Sequence, residues 1–543
     1  MERPDVGYLP TIPASIRRAA QQFGDHDFIV MPDRRMTYAQ ADAASQRVAK
    51  ELLAAGIGKG TRVGVLDTFS TEWIVAWLAI ARIGALLIPF GSTFRPAELR
   101  RALRHADVHT LLVPPTVLGK DMQEFVEEAV PGLAGSGAAP LFLPEFPFLR
   151  DIRIWGPSDR AWAGGISLAV DDDPSAAASA VSDALLRNAE AEVTPADLMV
   201  VIYTSGATSD PKGVVHTHGG QVRHGYNLAH NFATPVSPDE RTFCALPFFW
   251  IGGLSFILMS TLYRGATVMC VEKFEASAAL DLIERERATK VAGWAPTMAA
   301  LMQHPTFPDR DLSSVAMFAP REGPPVDLEL RHGSLGMTET SGPHTAGPPE
   351  EIDRVLPESL RGSFGRALPD VQHRIVDPDT GEVLGEGEVG EICVRGYSLL
   401  DGMYKREHAD VFDDDGWYHT GDQGSLRAGL LFFTGRLGEM IKTGGANVTP
   451  REVEVALEAY PEVELALVVG LPDDERGQLV TAVLVPAPGA AIDVDEIAAR
   501  LRKEISGFKV PRRFVLMTRD EVPWLPTAKP DKRTLVARLS TAS

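Results

Sequence analysis

Apolar positions in residues 36–56, MTYAQADAASQRVAKELLAAG, recur at helical spacing and stop at Gly56, a natural helix terminator. The run TRVGVLD at 61–67 reads as a strand. A helix over 73–83, a strand over 85–90, a helix over 96–105 and a strand over 108–113 follow. Strands alternating with helices predict a parallel α/β sheet. The most apolar stretch, 73–90, carries Arg82 in its middle and changes character at Gly84. It reads as a buried helix and a short strand, not as an integral membrane segment. Between 131 and 195 Gly, Pro, Ala and Asp cluster, and loops with an exposed connection are expected. The α/β alternation resumes at 198 and runs to about 320. Over 360–435 short β-like runs (HRIVD, GEICVRG, LLFFTG) separated by turn signals predict a compact antiparallel or barrel subdomain. After Arg436 a fresh unit begins, with a helix at 450–459, strands at 465–470 and 480–485, a helix at 494–505 and a basic tail.

Composition narrows the class. The 543 residues carry 53 basic and 73 acidic side chains, a net charge of −20, with 45% hydrophobic and 23% charged residues. That balance fits a globular chain and excludes wholesale disorder. It also argues against a nucleic-acid partner, which needs a basic field, while leaving room for a local nucleotide site. Cys244, Cys270 and Cys393 show no ligand spacing, so a disulfide scaffold and a zinc ribbon are excluded, and three buried thiols in a reducing compartment are expected. The first residues lack the basic start and apolar core of a signal peptide, which points to a cytoplasmic enzyme.

The stretch 198–218, LMVVIYTSGATSDPKGVVHTH, runs from a strand into a loop of small and hydroxyl residues, then Pro-Lys-Gly and a second strand. Backbone N–H groups and hydroxyls of such a loop can wrap an anionic phosphate, and Lys212 can add a positive charge. The order differs from a Walker A loop, which disfavours a P-loop kinase or ATPase. Taken alone, the loop also reads as a Gly/Ser-rich hairpin turn. Downstream stand SLGMTET (334–340), GWYHTGD (416–422), FFTGRLGEMIKTGGANVTPREVE (432–454) and LPTAKPDKRTL (525–535).

In order and spacing these motifs resemble the adenylate-forming superfamily, and within it the fatty-acyl and aryl acyl-CoA ligases. The resemblance covers nearly the whole chain from about residue 28. It implies an α/β enzyme with a large N-terminal domain over residues 1–435, built of α/β sheets plus a small β-barrel, and a smaller mobile α+β domain over 436–543. It implies a carboxylic acid, ATP and coenzyme A as substrates, with Mg²⁺. By resemblance Thr204, Ser205, Gly206, Ala207, Thr208 and Lys212 hold the β- and γ-phosphates, and Ser334, Leu335 and Gly336 line the adenine side. Thr338 contacts the α-phosphate and Glu339 binds Mg²⁺, a hard cation suited to carboxylate oxygen. Asp422 and Arg436 hold the ribose, Lys442 contacts AMP, and Gly444 and Gly445 border the pantetheine arm. Lys529 is the catalytic lysine of the first step, although Lys532 and Arg533 carry the same charge nearby. The hinge corresponds to Gly438.

The stretch 245–256, ALPFFWIGGLSF, lines the acyl pocket by resemblance, with Phe248, Phe249 and Trp250 as walls and Gly252 and Gly253 leaving room; an ordinary core helix start is the plainer reading. Residues 242–256 contain no acid to pair with a substrate ammonium, so a hydrophobic acid without an α-amine is expected, whether fatty, alicyclic, steroid-like or aromatic. Leu335 stands where the family commonly has a stacking aromatic, Ala528 precedes Lys529 in place of Gly, and 319–333 is short and Pro-rich. A carrier protein as acyl acceptor, a nucleotide-binding pseudoenzyme and a homodimer stay open.

Overall fold

In the computed structural model the helix Tyr38–Ala54 starts at a capping box: Thr37 Oγ1 accepts from the Gln40 N–H, and Gln40 Oε1 accepts from the Thr37 N–H at 2.9 Å. Gly56, just past its end, takes φ +78°, the left-handed turn that ends helices. The model describes residues 3–541 except 93, 205–211, 233–235, 319–327, 352–353, 440, 444–445, 449, 474–475, 506, 508 and 526–528. The chain divides into two compact units, one running to Gln372 and including Val394–Tyr418, the other comprising His373–Cys393 and His419 onward.

The first unit is built around two large sheets, beside shorter two-stranded pairs. The larger has eight strands, in the order Gly402–Met403, Lys212–Thr217, Leu198–Thr204, Leu86–Phe90, Arg62–Leu66, Thr110–Val113, Asp151–Ile154 and Ala163–Gly165. From Leu198–Thr204 to Ala163–Gly165 every pairing is parallel, as the alternating pattern predicts. The second sheet pairs Lys290–Ala292, Arg241–Cys244, Thr267–Met269 and Asp27–Val30 in parallel and adds Arg35–Thr37 antiparallel. Helices Thr71–Arg82 and Pro96–His105 fall where periodicity places them, the first capped by Ser70, whose Oγ accepts from the Trp73 N–H at 2.9 Å.

The expectation of loops over 131–195 needs correction. Two strands and the helices Ala176–Ala180 and Asp183–Ala191 lie there. The strands Asp151–Ile154 and Ala163–Gly165, the last two toward one edge of the larger sheet, are four and three residues long, too short to show a period. Both helices begin at serine caps, Ser175 and Ser182.

The second unit is built on a long antiparallel pair, Val463–Asp473 with Gly477–Pro486, joined in parallel by Arg513–Leu516. Helices Pro450–Glu458 and Val494–Glu504 contribute Val453, Leu457, Ile497 and Leu501 to its core. The basic tail is a helix, Lys532–Thr541, that buries Leu535 and Leu539.

Among the described residues no helix is long and apolar enough to cross a membrane. Arg82 explains how the apolar run 73–90 stays inside the protein. It is fully buried, its Nε donates to Ser45 Oγ at 3.0 Å, and its guanidinium pairs with Glu190 at 2.6 Å and with Asp42. All three cysteines are buried thiols, and burial pushes the Cys244 thiol up to about 12.

Two stability predictions follow. Breaking a buried ion-pair network strands its remaining charges, so Arg82→Ala lowers stability by about 3–5 kcal/mol, read as a lower urea midpoint; an unchanged midpoint contradicts the assignment. Asp67 is fully buried, and desolvation raises its carboxyl to about 6, against the hydrogen bond from Ser70. Its folded pKa lies above its unfolded value, so the carboxyl costs stability progressively as pH rises from about 4 to 6. Asp67→Asn therefore stabilises by about 1–3 kcal/mol at pH 7.5 and by little at pH 4; a gain equal at both pH values contradicts the ionisation.

Candidate active site

Two adjacent strands bracket the loop expected to hold phosphate. Leu198–Thr204 and Lys212–Thr217 pair antiparallel with Thr204 opposite Lys212, so the loop between them opens and closes at one level of the sheet. Ser205, Gly206, Ala207 and Thr208 lie outside the described residues. Lys212 is partly buried at the start of its strand.

The GMTE segment is a tight turn of the same unit. Gly336–Met337 pairs antiparallel with Gly342–Pro343, and a Cβ on Gly336 would stand 2.6 Å from the Pro343 backbone nitrogen, so only glycine fits. The Leu335 N–H donates to Thr345 Oγ1 at 2.8 Å. Thr338–Thr340 forms a single 3-10 turn, and buried Thr340 Oγ1 donates to the Gly342 carbonyl at 2.7 Å. Ser341 follows in the left-handed region at φ +62°. Both carbonyls at the centre of the turn are engaged: Glu339 O accepts from the Leu400 N–H at 2.8 Å, and Thr338 O lies 2.8 Å from His216 Nε2. Burial holds His216 down at about 4, so the ring is neutral and the nitrogen facing the carbonyl carries its proton. Ser334 and Gly336 are exposed, while Leu335, Thr338 and Glu339 are partly buried. No motif signalled His216 or its partners Ser341 and Gln221. The one trace in the sequence is a histidine at an inward position of an otherwise apolar strand.

Phe248 belongs to the main core: it is fully buried, 4.9 Å from the Phe69 ring and 5.6 Å from that of Trp73. Phe249 fills the space a side chain at Gly91 would take, and Trp250 meets it edge-on at 5.2 Å. Gly252–Met259 is a π-helix, a form frequent at functional sites. A Cβ on Gly253 would stand 2.2 Å from the Pro247 carbonyl oxygen, so this glycine serves close backbone packing.

In the second unit Asp422 and Arg436 face each other across the hairpin Tyr418–Arg427 and Leu430–Arg436. Arg436 Nε lies 2.9 Å from Asp422 Oδ1, and the Asp422 N–H donates to Thr420 Oγ1 at 3.0 Å. Asp422 is buried, and half of the Arg436 side chain is open to solvent. Beside them Glu391 accepts from the Gly421 N–H at 2.9 Å and pairs with His419 Nδ1 at 2.7 Å, with Cys393 Sγ 3.5 Å from the same ring nitrogen. These three bring metal-type donors within 4.8 Å of one another. The hydrogen bonds already account for that closeness.

Lys442 sits in the strand Ile441–Thr443, paired with Ala446–Val448, while Gly444 and Gly445 lie outside the described residues. Lys529 is exposed, and its carbonyl accepts from the Leu525 N–H at 2.8 Å. Lys532, its rival by charge, is already committed: its Nζ lies 2.7 Å from buried Glu454.

The chain matches the AMP-binding enzyme model over residues 16–404 and the AMP-binding enzyme C-terminal domain model over 452–529. It belongs to the AMP-binding enzyme family. This AMP-binding enzyme is 30% identical to a putative acyl-CoA synthetase of Bacillus subtilis, over 97% of this chain and 96% of that one. It is 32% identical to a feruloyl-CoA synthase of an Amycolatopsis species, over 88% and 89%. An amide bond synthetase from Marinactinospora thermotolerans matches its structure with a TM-score of 0.79 at 27% identity, covering 97% and 99% of the two chains. The chain is thus an AMP-forming acid–thiol ligase of the acyl-CoA synthetase type, using ATP, Mg²⁺ and coenzyme A.

Gly336→Ala tests the turn geometry. The added methyl pushes the Gly336–Met337 pair off Gly342–Pro343, and adenylation should fall at least about tenfold as site groups move by an ångström, with the fold retained by circular dichroism. Wild-type turnover contradicts the assigned tightness.

Proposed function

We propose that this ligase activates a hydrophobic carboxylic acid without an α-amine and transfers its acyl group to coenzyme A in the cytoplasm. The carrying observation is the 242–256 segment, which offers aromatic surface and no charged side chain. A substrate ammonium would find no counter-charge there, and leaving it unpaired is costly. Relatives support the aromatic and alicyclic end of the range. Beside the feruloyl-CoA synthase, an indoleacetate–CoA ligase of Aromatoleum aromaticum and a Mycobacterium tuberculosis ligase for a methyl-dioxo-octahydroindenyl propanoate are each 30% identical to the chain.

In the first half-reaction a carboxylate oxygen attacks the α-phosphorus of ATP and pyrophosphate leaves. Thr204, Ser205, Gly206, Ala207, Thr208 and Lys212 hold the leaving phosphates, Thr338 the α-phosphate, and Ser334, Leu335 and Gly336 the base. The donor set fits a magnesium ion: Glu339 supplies a hard carboxylate oxygen on a turn whose backbone is pinned at two carbonyls. Bound there, Mg²⁺ neutralises phosphate charge. Asp422 accepts from the ribose hydroxyls, with Arg436 ion-paired beside it. Lys529 brings a point charge to the carboxylate and the α-phosphate as negative charge redistributes. In the second half-reaction the thiol attacks the acyl carbon and AMP leaves, with Lys442, Gly444 and Gly445 beside the AMP and the pantetheine arm. Residues 436–543 form the domain that serves both steps. Gly438 is its hinge, and a side chain there would meet nothing within 4 Å, so the glycine reflects backbone freedom and not packing.

The test is AMP release by purified enzyme with ATP, Mg²⁺ and coenzyme A, across fatty, aromatic, alicyclic and steroid-like acids, beside Lys529→Ala. AMP formation that needs both acid and coenzyme A, and falls at least about a hundredfold in the variant, is expected. A preference for amino acids overturns the substrate reading, and AMP formation indifferent to coenzyme A points to another acceptor, such as a carrier protein.

A further inference from the structure

We infer that His216 is a positioning residue for adenylation: its ring holds the Thr338 carbonyl and thereby sets the presentation of Thr338 and Glu339 to the magnesium nucleotide. This rests on the proposed contacts of those two residues.

His216 lies on Lys212–Thr217, the strand that begins at Lys212, opposite Val200 on the neighbouring strand. It is 1% exposed, so water cannot replace its contacts. Nε2 is 2.8 Å from Thr338 O, and because a carbonyl only accepts, the ring must donate there. Nδ1 is then unprotonated and lies 3.2 Å from Ser341 Oγ. Ser341 Oγ in turn donates to Ser398 O at 2.7 Å and accepts from Gln221 Nε2 at 3.0 Å. The ring therefore bonds one end of the Thr338–Thr340 turn, at the Thr338 carbonyl, and packs against the other at Ser341, whose own hydrogen bonds run to Gln221 and Ser398.

The consequence follows from peptide planarity. Fixing the direction of the Thr338 carbonyl fixes the whole plane joining Thr338 to Glu339, so the Glu339 N–H points the opposite way. The next plane is fixed by the Leu400 N–H on Glu339 O. With the planes on both sides of its Cα set, the Cα–Cβ direction of Glu339 is set as well, and Thr338 is held by the first of them. Removing the donor leaves the Thr338 carbonyl with only the Ser341 N–H, at 3.1 Å, so the carbonyl loses the shorter of its two hydrogen bonds and the turn is free to tilt. The loss should fall on nucleotide binding and on no other substrate.

The experiment compares His216→Leu, which removes the donor, with His216→Gln, whose Nε2 can restore it, on the full-length protein. The readouts are equilibrium binding of MgATP, KM for each substrate and thermal midpoint. One hydrogen bond to a buried group predicts MgATP binding weakened about five- to tenfold in His216→Leu, unchanged KM for acid and coenzyme A, and His216→Gln within about twofold of wild type. If His216→Leu fails to fold, His216→Phe replaces it, since its ring keeps the shape without the donor. Three results overturn the inference alone: unchanged MgATP binding in the donor-less variant, equal loss in His216→Leu and His216→Gln, or a rise in all three KM values. Wild-type protein that binds no MgATP overturns the proposed function as well, and is told apart because the failure precedes any substitution.

Discussion

The antiparallel pairing of Leu198–Thr204 with Lys212–Thr217 is the constraint from which the first unit's chemistry follows. On one side this hairpin joins the parallel sheet through Leu86–Phe90, and on the other it carries Gly402–Met403. Because Thr204 lies opposite Lys212, the proposed phosphate loop begins and ends at one level of the sheet. The same register sends His216 inward, where it meets the Thr338 carbonyl. Sheet pairing thus ties the phosphate loop to the turn carrying Thr338 and Glu339, although more than a hundred residues of sequence separate them.

A chain with a net charge of −20 that handles ATP must make its cations local. The second unit shows how they are kept apart by task. Lys532 is spent on buried Glu454 and stabilises the fold, whereas Lys529, three residues earlier, stays exposed. Arg436 shares its charge with Asp422 and remains half open to solvent. Inside the first unit the reverse arrangement holds: Arg82 is sealed between Glu190 and Asp42, and His216, His218 and His224 are all kept neutral by burial. Buried ionisable groups there serve structure and orientation, and the free cations face outward.

Much of this was legible beforehand. The α/β alternation, the helices at 36–56 and 96–105 and the family motifs are each local, and local pattern survives in a sequence. What escaped was set by distant partners. The short strands Asp151–Ile154 and Ala163–Gly165 exist because neighbours offer hydrogen bonds, and their few residues carry no period. Phe248 and Phe249 look alike in sequence, yet one packs in the core against Phe69 and Trp73 while the other lies over Gly91. In sequence only register distinguishes Lys529 from Lys532; the ion pair of Lys532 with Glu454 joins residues far apart in the chain and carries no local signal. The His216–Ser341–Gln221 network joins three segments, none of which signals the others.

The central claim is that Lys529 serves acid activation and not thioester formation. It is tested by supplying the acyl-adenylate ready-made to Lys529→Ala with coenzyme A and following thioester formation, beside pyrophosphate exchange in the same preparation. The prediction is exchange lowered at least about a hundredfold with thioester formation from the adenylate close to wild type. Equal loss of both half-reactions, or exchange that survives the substitution, would contradict it.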